Sequence, residues 1–189
     1  MLSPRRLVAL TLATQAVLIV AAIAGMRYFA LTPRWGQPRD VLVGLGAAVA
    51  LAAVNWWLLR RAPANPVVSG VRKIYAELLA PLFARLGPWA VVIIGLAAGV
   101  GEELFFRGLL QPLIGLPAAS VVFGLAHVAG REMAGFGVWA ALMGALLGGL
   151  AMVTGGLLAP VVAHGVYDVL ALTYIRRTTV PPAPASEGT

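Results

Sequence analysis

The stretch Gly99-Val-Gly-Glu-Glu-Leu-Phe-Phe-Arg107-Gly-Leu-Leu110 sets the terms for the rest of the chain. It places Glu102, Glu103 and Arg107 directly after Pro88 to Gly101, a run without a single charge. A charge inside a membrane-like apolar segment costs about 2.5–3.5 kcal/mol on insertion scales. A sequence that keeps three of them there is using them. His127, His164 and Asp168 are the other strongly polar side chains in comparably apolar surroundings, and all six are expected to form one site.

Composition sets the class. Of 189 residues, 60% are hydrophobic and 11% charged, against about 25% charged in an average soluble domain. This is the profile of an integral membrane protein. The net charge of +7 does not point to nucleic acid, because the basic residues flank apolar spans instead of forming a stripe with interleaved aromatics. With no cysteine, disulfides, thiolate metal sites and a cysteine nucleophile are excluded.

The expected fold is all-α: a polytopic transmembrane bundle of about six spans plus one amphipathic surface helix. Met1 to Arg6 is a basic leader, and Leu7 to Met26 is long enough to span. Ala22-Ile-Ala24 resembles a signal cleavage site, but the run is long for a signal segment, so a retained first helix is favoured. Val41 to Leu59 is the second span, closed by Trp56, Trp57, Arg60 and Arg61 as an interfacial anchor. From Val67 to Leu86, apolar residues alternate with Arg72, Lys73, Glu77 and Arg85, the pattern of a helix lying on the membrane surface. These elements form an N-terminal unit, 1–87.

A four-helix core, 88–177, follows. Its spans are Pro88 to about Gln111, Ala118 to Ala129, Phe136 to Val153 and Leu157 to Ile175, with a turn at Pro112 to Pro117. The tail, 178–189, is expected to be disordered. With the N-terminus inside, ten basic residues fall on the inner side and Arg27, Arg34 and Arg39 on the outer, with Arg107 left in the motif. That bias predicts an inner-membrane protein with both termini cytoplasmic.

Spacing brings the polar residues to one layer. Glu103 and Arg107 are four apart on a helix and can pair. Gly95 and Gly99 continue the same row and let a neighbouring helix approach. Glu102 is rotated from Glu103 by about 100°, which leaves it free for chemistry. Glu102 lies thirteen residues before Gly115, and His127 twelve after it, so an antiparallel hairpin brings them level. His164 and Asp168, nine and thirteen residues beyond the turn at Gly155, share a helix face.

A carboxylate and imidazoles around a water-filled cavity suit general-base activation of water and stabilisation of an oxyanion. Two histidines with carboxylates also match a zinc-like site, with Glu102, His127, His164 and Asp168 as the ligands of one divalent metal. Glu102, Glu103 and Asp168 against Arg107 leave a formal −2 with neutral histidines, which such a cation would neutralise. The chain has no H-E-x-x-H helix, G-x-S-x-G elbow or phosphate loop, which excludes soluble zincins, serine hydrolases and P-loop enzymes.

Glu102-Glu-Leu-Phe-Phe-Arg107 resembles the E-E-x-x-x-R motif of the CPBP intramembrane proteases, the group of type II CAAX prenyl endopeptidases and bacteriocin-processing relatives. Phe123-Gly-Leu-Ala-His127 is similar to their F-x-x-x-H motif, and His164-Gly-Val-Tyr-Asp168 to their third, H-x-x-x-N or H-x-x-x-D. The resemblance runs from about Pro88 to Ile175 with the motifs in order. It implies an endopeptidase acting on a peptide or membrane-tethered protein inside the bilayer. In that reading Glu102 activates water, Glu103 pairs with Arg107, His127 and His164 position water, oxyanion or metal, and Asp168 supports them. Asp168 departs from the asparagine of the eukaryotic prenyl proteases, so a prenylated substrate does not follow. The rival readings are a non-catalytic binding or immunity protein using the same pocket, and an ion or proton pathway.

Overall fold

The computed structural model describes residues 3–128 and 130–178, and every regular element among them is helical. Helix α1 (Pro4–Tyr28) starts on Ser3, whose side chain accepts the Arg6 N–H, with Pro4 in the first turn. Helix α2 (Asp40–Arg60) follows an extended loop. Helix α3 (Pro66–Ile74) is capped by Asn65, which accepts the Val68 N–H, and runs through a π-helical turn (Tyr75–Leu79) into the short α4 (Ala80–Phe83).

Helix α5 (Pro88–Glu103) continues through a second π-helical segment (Leu104–Leu110) into α6 (Gln111–Ala126). Helix α7 (Ala134–Thr154) ends on Gly155 in the left-handed conformation, φ 69°, and α8 (Leu158–Thr178) closes the described chain. The expected disordered tail lies outside the described residues except for Thr178, which ends α8, and so does Ala129.

Among the described residues, five helical stretches are long and apolar enough to cross a membrane, and the protein is an integral membrane protein. The longest, Pro88–Ala126, is bent at Gly115 (φ 80°, ψ 163°), with Pro117 just beyond. A φ in that region favours glycine, so the chain reverses there. The six expected segments are present, but the returning arm ends at Ala126. At 1.5 Å per residue it covers about 15 Å, half the thickness of a hydrocarbon core. The return is helical over about this length, and the chain is back beside Gly70 of α3 by Gly135.

The segment expected at the membrane surface has two unlike faces. Val68, Val71, Ile74 and Ala80 are buried against the bundle, whereas Lys73, Glu77 and Arg85 are exposed. Arg72 turns back to donate to the Leu58 and Ala62 carbonyls at 3.0 and 2.7 Å, satisfying acceptors at the α2 C-terminus.

Cross-contacts show which ends share a side. Leu157 and Leu158 N–H groups donate to Arg34 and Trp35 carbonyls, joining the loop after α1 to the α7–α8 turn. At the other end Arg60 of α2 bonds Tyr174 of α8, and Gly70 of α3 abuts Gly135 of α7. The alternation used to count basic residues is therefore the alternation in the fold.

Helices α5 and α8 meet backbone to backbone. A Cβ added at Gly99 would lie 2.6 Å from the Gly165 nitrogen and 2.8 Å from the Val161 carbonyl oxygen. Gly99→Ala should therefore lower the melting temperature in detergent, by the equivalent of the 1–3 kcal/mol that overpacking typically costs, about one such event. Gly46→Ala, whose Cβ would meet nothing within 4 Å, should not. Equal melting temperatures for wild type and Gly99→Ala would refute the close-contact account.

Candidate active site

The site forms where α5, α6 and α8 come level. Glu102 and Glu103 are the last two residues of α5, and Arg107 lies in the π-helical segment that follows. Such wider turns occur frequently at functional sites. His127 caps the C-terminus of α6, and His164 and Asp168 lie one turn apart on α8. All six expected residues are brought together.

Glu103 is completely buried. Its Oε1 accepts from Arg107 Nη1 at 2.9 Å and from His164 Nδ1 at 2.7 Å. The Arg107 side chain also donates from Nη2 to the Gly144 carbonyl on α7 at 3.0 Å, and its guanidinium lies 4.7 Å from the centre of the Phe123 ring. The expected Glu103–Arg107 pair is present. The bond to His164 adds a role the spacing did not show, because it joins residues 61 apart in sequence.

Glu102 faces elsewhere. Its Oε1 accepts from Gln15 Nε2 at 3.2 Å, and its Oε2 is buried with no hydrogen-bond partner among the described residues. That oxygen stands 3.9 Å from His127 Nε2 and 4.0 Å from His164 Nε2. Asp168 Oδ2 lies 3.7 Å from the same His164 nitrogen. The hairpin register anticipated from Gly115 is confirmed by the Glu102–His127 distance.

The F-x-x-x-H spacing has a local cause. His127 Nδ1 lies 2.7 Å from the Phe123 carbonyl oxygen, which only accepts, so Nδ1 carries the proton. The lone pair of a neutral His127 is then on Nε2, facing Glu102. The Phe123 ring packs against the same imidazole, centroids 4.6 Å apart. One residue fixes both the tautomer and the ring plane.

These groups open into a cavity of about 270 Å³. Glu102, His127, His164 and Asp168 line it together with Asn55, and most of the remaining wall is apolar, including Ile94, Phe136, Met143 and Leu172. Tyr75, in the π-helical turn after α3, also lines it, and burial pushes its phenol up to about 12, so it stays a neutral hydroxyl. Gln15 and Asn55 come from α1 and α2, outside the stretch that carries the three motifs. Their only signal was a single amide inside each apolar run.

Donors that share one tetrahedral ion must stand close together. Zinc bonds of about 2.0–2.1 Å in a tetrahedron put neighbouring donor atoms about 3.3–3.4 Å apart. Here the separations are 3.7 to 4.0 Å. Among the described residues no cluster of three or more His, Asp or Glu side chains is arranged to hold an ion. The four residues do not fit a tetrahedral metal in this arrangement.

Fold and site together define a polytopic helical membrane protein with a carboxylate–histidine centre in an internal cavity. Residues 84–170, which hold all six site residues, match the family model described as type II CAAX prenyl endopeptidase Rce1-like. The chain is also 26% identical over 168 residues to the uncharacterized protein YpbD of Bacillus subtilis (strain 168), covering 85% of each. No solved structure matches it.

The Glu103 geometry yields a stability prediction. Glu103→Gln leaves the Arg107 guanidinium buried without its counter-charge. Breaking a buried pair from one side costs about 3–5 kcal/mol in soluble proteins, so expression and melting temperature in detergent should both fall. Glu102→Gln should melt like the wild type, since among the described residues no arginine or lysine is paired with Glu102. A Glu103→Gln protein as stable as Glu102→Gln would show that the pair is not structural.

Proposed function

We propose that this protein is an endopeptidase that hydrolyses a peptide bond of a peptide or membrane-tethered protein within the bilayer cavity, with Glu102 as general base. The observation that carries this reading is the buried, unpartnered Glu102 Oε2 facing two imidazole Nε2 atoms across an internal cavity.

Water between Glu102 Oε2 and His127 Nε2 finds two acceptors for its two hydrogens. Its oxygen lone pair is then free to point at a substrate carbonyl. Glu102 takes one proton as the water oxygen bonds to the carbonyl carbon. Protonated His164, held by Glu103 at Nδ1 and flanked by Asp168 at Nε2, donates from Nε2 to the developing oxyanion. When the C–N bond breaks, Glu102 returns the proton to the leaving amine. No step requires a metal. Substrate binding is served by the apolar walls, which suit apolar side chains or a membrane-embedded segment.

The test uses purified protein in liposomes with a library of membrane-tethered peptides. Wild type should cleave a subset of them. Glu102→Gln should lower turnover by about 10²–10⁴-fold, the usual contribution of a general base. Activity should survive strong chelators, and elemental analysis of protein purified without chelator should show no stoichiometric metal. Stoichiometric metal with chelator-sensitive cleavage would replace the water-only mechanism. Peptide binding without any cleavage would favour the non-catalytic binding reading.

The proposal also carries an orientation, with both termini cytoplasmic in the inner membrane. The bond between Arg60 and Tyr174 puts the ends of α2 and α8 on one side, and that side holds most of the basic residues. A reporter fused after Arg177 should read as cytoplasmic and one inserted between Arg34 and Arg39 as external. The reverse pattern would invert the topology.

A further inference from the structure

We infer that Gln15, on the first helix and outside the segment that matches the family, is a positioning residue that selects which oxygen of Glu102 does the chemistry. The inference rests on the proposed role of Glu102 as base. A carboxylate turns easily about its last torsion, and its two oxygens are chemically equivalent until something distinguishes them. Among the described residues, the Gln15 amide is the one hydrogen-bond partner of the Glu102 side chain. By holding Oε1 at 3.2 Å, it leaves Oε2 directed at His127 and His164, neither of which is close enough to hold the group itself.

A second observation supports a built contact. Gln15 is 6% exposed in an otherwise apolar helix, where an unneeded amide is a cost. Directly opposite stands Gly101, the residue before Glu102. A Cβ at Gly101 would collide with Gln15 Oε1 and lie 3.1 Å from Gln15 Cβ. The missing side chain at 101 is the space that lets Gln15 reach Glu102. Helix α1 also packs its Ala22 and Met26 beside Leu104 and Leu109, which fixes its register against α5 and the π-helical segment.

The amide chemistry suits the task. A lysine or arginine at this position would neutralise the base, and a carboxylate would compete with it for protons. A neutral N–H donor orients the carboxylate and leaves its charge in place.

The test variant is Gln15→Met, close to glutamine in shape but without a donor. In liposomes with a cleaved peptide, kcat should fall between about 10- and 100-fold, the range spanned by a hydrogen bond to a charged group. KM and melting temperature should stay at wild-type values. Introduced into Glu102→Gln, the same change should lower the residual rate by less than about twofold, because interacting sites are not additive.

An activity-independent arm uses infrared spectra of protein labelled with ¹³C-glutamate. The wild type minus Glu102→Gln difference isolates the Glu102 carboxylate band, and the band should shift in Gln15→Met. Gln15→Leu, which likewise lacks the donor, serves if Gln15→Met folds poorly, with the same expectations. An unmoved band overturns the inference whatever the activity. A shifted band with unchanged kcat overturns the catalytic role. A wild type that cleaves nothing while the band still shifts defeats the endopeptidase reading and leaves Gln15 as the group that holds Glu102.

Discussion

The structure depends on a carboxylate with no access to water. Glu103 Oε1 accepts from both Arg107 and His164, and Arg107 also donates to the Gly144 carbonyl. One buried anion thereby ties together α5, the π-helical segment, α8 and, through Arg107, α7. Isolated charges at such depth would each be expensive. Paired and hydrogen-bonded, they become directional joints in a bundle whose other contacts are mostly non-directional packing. The small residues at the α5–α8 interface are the complement of that joint. With Gly99 against Gly165, His164 comes within 2.7 Å of Glu103.

This joint also explains the division between adjacent carboxylates. Residues next to each other on a helix point about 100° apart. When Glu103 turns toward Arg107 and His164, Glu102 must face a different sector. The sector it meets holds the second histidine and the cavity, with Gln15 its one hydrogen-bond partner among the described residues. Both bonds that fix Glu103 fall on its Oε1 and hold the group away from the cavity that Glu102 lines. The Glu-Glu pair separates the cross-link from the group that faces the cavity at no cost in space.

What was legible in the sequence was whatever follows from helix geometry along one chain segment. The Glu103–Arg107 pair is a spacing of four, the Glu102–His127 level is a count on either side of Gly115, and His164 with Asp168 is again a spacing of four. Contacts that depend on how separate helices rotate against each other were not legible. His164 bonds Glu103, and Gln15 bonds Glu102 across 87 residues. The two amides were also easy to miss because a neutral amide costs far less in an apolar run than a charge does. The half-length of the returning arm was hidden for another reason. Apolar residues stand on both sides of His127, and no proline or glycine marks the end where the helix stops.

The cavity has a further asymmetry that follows from the amphipathic segment. Most of its walls are crossing helices, whose outer faces are apolar, as exposed Leu142, Leu146 and Val153 on α7 show. One wall is different. Tyr75, Leu79 and Phe83 line the cavity, while Lys73, Glu77 and Arg85 of the same segment are exposed. A segment with apolar side chains inward and charges outward belongs at a boundary between water and lipid. The cavity therefore lies one helix thickness from an aqueous boundary on the side where α2 and α8 end. The carboxylate–histidine centre lies deeper, beside the buried Glu103. Under the proposed hydrolysis, water would reach that centre from this side.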